Sequence, residues 1–141
     1  MKTVGNVIYG AGVYLIIGLY ALGFETANKA VYDSAKTQAA RDQAREIANA
    51  GVRFAIGDVG SNKVAPYPSG NVSLMNGSVA YTGDHPASLP SSQMRIVSTG
   101  TYNGHSVIEE AILEYNNTKW ITKRIHEIQS VAEYTRLSQG L

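Results

Sequence analysis

The side chains able to do acid–base or metal chemistry are few and scattered. Of the three histidines, His85 follows Asp84 in TGDHP, His105 follows Asn103-Gly104, and His126 lies between Ile125 and Glu127. A metal centre needs three or four ligands at short, fixed spacings, and two histidines on separate loops do not make one. Both read as exposed loop residues, and His126, flanking an apolar stripe, is assigned no role. Glu109-Glu110 offers two carboxylates, but neighbouring strand residues point to opposite faces and cannot act on one bond. That pair reads as solubilising a sheet. The glycines of YGAGVY and GDVG neither follow a strand at the spacing of a phosphate-binding loop nor supply its Lys-Ser/Thr. Cysteine is absent, which removes disulfides, thiolate metal ligands and thiol nucleophiles. The expectation is a protein that is not an enzyme and has no catalytic, metal or cofactor site.

Binding chemistry is equally restricted. Twelve Lys and Arg stand against eleven Asp and Glu, with no basic block, so the electrostatic footprint of a nucleic-acid surface is missing. No small-molecule substrate is evident. Asn71, Asn76 and Asn116 each head an Asn-X-Ser/Thr triplet, a pattern so short that it reads as chance in an Asn- and Ser-rich chain.

The strongest signal is an element rather than a site. Between Lys2 and Glu25 there is no charged side chain, and Val7 to Phe24 as a helix covers about 27 Å at the standard rise. The bilayer core is about 30 Å thick, so residues 1–24 read as a membrane or assembly helix, with Val7, Ile8, Gly12, Val13, Leu15, Ile16, Gly18, Leu19 and Leu22 on it. Lys2 favours a cytoplasmic start and export of the remainder. A cleaved secretory signal is one rival, since Ala21-Leu22-Gly23 offers small residues at the positions a signal peptidase inspects. A buried helix of a water-soluble protein is the other, but its glycines would cost roughly 1 kcal/mol each relative to alanine in water. Membrane helices tolerate glycine better.

Helix-compatible sequence continues past Phe24. Glu25 to Ile56 contains nine alanines and no proline, which predicts a helix over 25–57 in a single α+β domain spanning 25–141. Ala40, Ala44, Ala48 and Gly51 recur at helical spacing and form a narrow seam that packs on a sheet.

The sheet is predicted over about 71–115. Two Asn-Gly pairs stand inside alternating runs, the pattern of a two-residue hairpin turn whose residues take positive φ. The first, Asn76-Gly77, sets Leu74 opposite Val79 and Val72 opposite Tyr81, all on one face. The second, Asn103-Gly104, sets Ile96 opposite Ala111 and Met94 opposite Leu113. The other face carries Val97, Ile108 and Ile112 among Arg95, Glu110 and threonines, so one covering helix leaves a side under-protected. DHPASLPSS joins the hairpins as a loop. Four antiparallel strands are expected. Ile121, Ile125, Ile128, Ala132 and Leu137 lie close to helical period, predicting a C-terminal helix over about 118–138 with Asn117 or Thr118 as its N-cap. WITKRI also alternates, so a strand over Trp120–Ile125 is the other reading.

This order of parts resembles the type IV pilin-like family, minor pilins and pseudopilins in particular. ARDQAREIANAGVRFAI is similar to the alanine-rich stretch late in the long N-terminal helix of many minor pilins. The resemblance covers residues 1–57 best and is architectural beyond them. It departs from the family at the usual glutamate in the fifth mature position, for no acidic residue precedes Glu25; leader processing and glutamate-dependent docking are therefore not carried over. The resemblance implies a structural subunit held in the inner membrane and then packed, with copies of itself or related subunits, into a periplasmic or extracellular filament. The rival class is a non-polymerising envelope domain, membrane-tethered or secreted, that binds a partner.

Overall fold

In the computed structural model residues 2–60, 67–74 and 76–139 are described, with side chains from Ala21 onward except those of Val131 and Ser138. The chain divides into two compact units, Met1–Gln38 and Ala39–Leu141. Helix α1 runs over Lys2–Val59. In the first unit its described side chains, Ala21 to Gln38, are all exposed. In the second, Ala39 to Val59 packs on an antiparallel sheet.

The helix outruns the predicted end at residue 57. Val52, Ala55 and Val59 fall on one face and are buried in the same cluster, so the apolar period continues past Gly57. Gly60 then stops the helix in the left-handed conformation (φ 56°), its N–H donating to Ile56 O at 3.1 Å. That bond satisfies one of the last carbonyls, which otherwise have no partner.

Five strands form a meander in the order β1-β2-β3-β4-β5: β1 Ser69–Leu74, β2 Gly77–Asp84, β3 Gln93–Tyr102, β4 His105–Tyr115 and β5 Trp120–Glu127. The sheet thus extends beyond the predicted 71–115 at both ends, and the four-strand expectation is corrected. Residues 120–127 are a strand because β4 is 11 residues long and offers a bare edge that WITKRIHE can pair with. Its alternation sends Trp120 into the core, 4% exposed and against Tyr115 at a ring separation of 5.4 Å. Asn117 and Thr118 are not a helix cap. They lie in the β4–β5 loop, where Asn116 Oδ1 accepts from the Thr118 and Lys119 amides at 3.3 and 3.0 Å, and Asn117 takes φ 76°.

The last helix, α2, covers only Val131–Ser138. Its true cap is Ser130, whose Oγ accepts from Glu133 N at 3.1 Å while Glu133 Oε2 accepts from Gln129 N at 2.9 Å. This is a capping box in which the carboxylate reaches one residue further back than usual.

The second hairpin has the expected register, Ile96 opposite Ala111 and Met94 opposite Leu113, closed by Tyr102 and His105. Asn103 and Gly104 take φ 46° and 79°. The first hairpin is displaced by two residues: Val72 pairs with Val79, Gly70 with Tyr81 and Leu74 with Gly77. A shift of two keeps every side chain on its predicted face. Gly77 is therefore not a turn residue but the first residue of β2. A Cβ there would lie 2.5 Å from Thr101 O and 2.7 Å from Ile47 Cδ1, so contact, not φ, requires the glycine.

The core lies between α1 and one sheet face. Val79, Ile96, Ala111 and Leu113 are fully buried there, beside Tyr81, Met94, Val107 and Trp120, each large apolar side chain contributing about 1.5–3 kcal/mol on burial. The other face carries Val97, Ile108 and Ile112, and α2 lies against part of it.

Candidate functional site

The small-residue seam is where backbone meets backbone. Ala44 and Ala48 have no exposed surface and Ala40 only 8%. Opposite them β3 presents Gly100, where a Cβ would stand 2.2 Å from Ala44 O and 2.3 Å from Ala48 N. Two residues along, Ser98 Oγ donates to Ala48 O at 2.7 Å in a buried bond, and a Cβ added at Gly51 would fall 2.1 Å from that same Oγ. The helix thus rides on the β3 backbone at Ser98–Gly100, and nothing larger than alanine fits under it. The partner glycine and serine were not singled out in the sequence because neither shows in an apolar pattern.

Charges fasten the edge of this contact. Arg41 Nη2 and Arg45 Nε donate to the two oxygens of Glu127 at 2.8 and 2.9 Å, and Arg45 also reaches Asp42 at 2.8 Å. The Arg41 hydrogen bond, helped by Arg45, holds the Glu127 carboxyl below the usual carboxylate range. Near the other end Tyr81 donates its hydroxyl to Asp58, a bond that raises the phenol above its ordinary pKa.

The two adjacent glutamates do face opposite ways, but neither solubilises the sheet, because both are buried. Glu109, 5% exposed and facing α1, has an Oε2 with no hydrogen-bond partner. Burial pushes its carboxyl up, reinforced by Glu127. Glu110, 2% exposed on the other face, accepts from Arg136 Nη2 at 2.8 Å and stands 3.4 Å from His126 Nε2. Arg136, in the last turn of α2, thus anchors that helix to the sheet. His85 Nδ1 lies 2.8 Å from Gln93 O, which ties the inter-hairpin loop to β3. His105 sits at the hairpin end, far from a ligand set, and among the described residues no three His, Cys, Asp or Glu side chains are grouped to hold a metal.

Beside Glu110 the same face has a shallow hollow of about 340 Å³, lined by Thr82, Asp84, Arg95, Val97, Thr99, Ile108, Tyr134 and Leu137. Its floor is ionic: Arg95 is 2% exposed and pairs with Asp84, Nε to Oδ1 at 2.8 Å. The hydroxyls of Thr82, Thr99 and Tyr134 line the hollow beside that ion pair.

The remaining candidates belong to the first unit. Leu22 is 62% exposed, and Phe24, Val31 and Tyr32 are exposed by 64, 69 and 67%. Val7, Ile8, Gly12, Val13, Leu15, Ile16, Gly18 and Leu19 have side chains that lie outside the described residues. Among the described residues no helix is long and apolar enough to cross a membrane. No family model matches the chain, and comparison with curated proteins and with solved structures finds no match.

Proposed function

We propose that this chain is a structural subunit of a pilin-like filament, held in the membrane by its uncharged N-terminus and assembled by packing that helix against the helices of neighbouring copies. The observation that carries this reading is the exposure of Leu22, Phe24, Val31 and Tyr32 on a helix that continues an uncharged run of sequence. Ala21, Phe24, Asn28, Val31 and Ala35 follow alternating steps of three and four, the spacing of a seam made for another helix. Large apolar side chains on a helix need a cover, and the sheet, with its own core already filled by Ala44, Ala48, Val52, Ala55 and Val59, is occupied.

Assembly on this reading is physical rather than catalytic. An apolar helix leaves lipid when like helices replace the lipid around it, and glycines such as Gly12 and Gly18 let backbones approach closely. Partners are other copies or related subunits, and the location is the cell envelope, inner membrane first and filament afterwards. The test is the double substitution Phe24→Asp with Val31→Asp. Filaments should be lost while the thermal unfolding of the second unit stays unchanged, since neither residue belongs to that unit. Normal filaments from the double variant would remove the helix seam from the account and favour the partner-binding envelope domain.

A further inference from the structure

The two Asn-Gly pairs share a sequence and differ in structure, and from that difference we infer that Asn103 is a site of spontaneous covalent modification, conversion to aspartyl and isoaspartyl forms, from which Asn76 is protected. Asn103 and Gly104 are both exposed turn residues, and the space where a Gly104 Cβ would stand is open, with no atom within 4 Å. Neither is paired in a ladder, the hairpin being closed one step away by Tyr102 and His105. Gly77 is held on both sides, paired with Leu74 of β1 and Tyr102 of β3, with Thr101 O and Ile47 Cδ1 pressed against it.

The chemistry needs no added reagent beyond water. The Gly104 backbone nitrogen attacks Cγ of Asn103, forming a C–N bond and giving its proton to solvent. The Cγ–Nδ2 bond then breaks, and Nδ2, after taking a proton from water, departs as ammonia. Water opens the resulting succinimide at either carbonyl, leaving aspartate or an isoaspartyl linkage. One water enters, one ammonia leaves, and nothing is oxidised or reduced. Ring closure requires the glycine nitrogen to swing toward the side chain. At Gly104, an exposed turn residue outside the ladder, that motion breaks no strand pairing of its own, whereas at Gly77 it must break two ladders in a strand packed against Ile47. The isoaspartyl product puts an extra methylene into a two-residue turn, so the pairing of Tyr102 with His105 loosens. Asn103 N also donates to Asn76 O at 3.3 Å, so the two hairpin ends register the change together.

Peptide mapping of the full-length chain after ageing in mildly alkaline detergent solution tests this, with a parallel sample held unfolded in denaturant. In the folded sample the Asn103 peptide should gain the mass of an amide-to-acid conversion, and an isoaspartyl label, many-fold faster than the Asn76 peptide. In denaturant the two rates should become similar. Equal conversion of Asn76 and Asn103 in the folded chain, or an Asn103 that stays intact when folded while converting when unfolded, would overturn the inference.

Discussion

Glu109 carries an unpaired carboxylate oxygen under α1, in the company of Glu127 on β5 and of Arg45 and Glu46 on the helix. Its pKa is raised on folding, so the folded state keeps the proton more firmly than the unfolded chain does. Its contribution to stability is complete below the ordinary carboxylate range and is lost as pH rises through the raised pKa. Glu127 works in the opposite sense: its pKa is lowered, so its contribution holds above the ordinary range and is lost as pH falls through the lowered value. Replacing Glu109 with Gln removes the ionisable group and should leave the protein more stable than the parent on the alkaline side of the raised pKa, where the parent carries a buried charge. Thermal melts across pH check this; the variant should also lose the decline on the alkaline side. A variant that keeps the parent's alkaline decline would mean that Glu109 is not the group responsible for it. None of this was legible in the sequence, where an adjacent glutamate pair in an alternating run looks like a solvated face.

At the scale of elements, the helix, the second hairpin and the apolar faces were readable because they rest on local rules: alanine content, period, and an Asn-Gly turn at positive φ. The end of the chain misled because Ile121 and Ile125 fit a helical period as well as they fit an edge strand, and the choice between them was settled by pairing with the bare edge of β4, which the period of one segment does not register. A local signal was nevertheless present. Ser130-Val131-Ala132-Glu133 is a capping box and marks the start of α2. Replacing Ser130 with Ala should cost about 0.5–2 kcal/mol of helix stability, read as faster amide exchange confined to α2. Unchanged exchange there would show that the Arg136–Glu110 bond alone holds the helix. The glycines separate two causes of strain. Gly100→Ala and Gly77→Ala should each lower stability by about 1–3 kcal/mol through overpacking, although neither has a positive φ. Gly104→Val, in open space, should cost more than about 1 kcal/mol through its φ alone. Chemical denaturation of the three variants checks this, and a Gly100→Ala protein as stable as its parent would mean that the helix is free to lift from β3.

For the whole molecule, the seam of Ala40, Ala44, Ala48 and Gly51 belongs to the second unit, while Leu22, Phe24, Val31 and Tyr32 belong to the first. On the proposed filament reading, this division separates folding from association. Enlarging Ala48 to Leu should damage the second unit's stability, whereas enlarging Gly12 or Gly18 to Leu should leave its melting point unchanged and impair assembly. What the sequence could not supply is the neighbour, since a helix seam for another copy and one for lipid use the same apolar residues. The most direct measurement is immunoelectron microscopy of material sheared from cells that produce the tagged full-length chain. The account predicts filaments labelled along their length, absent when Phe24 and Val31 are both Asp. A chain that stays monomeric in the membrane, with no labelled filaments under conditions of full export, would contradict it.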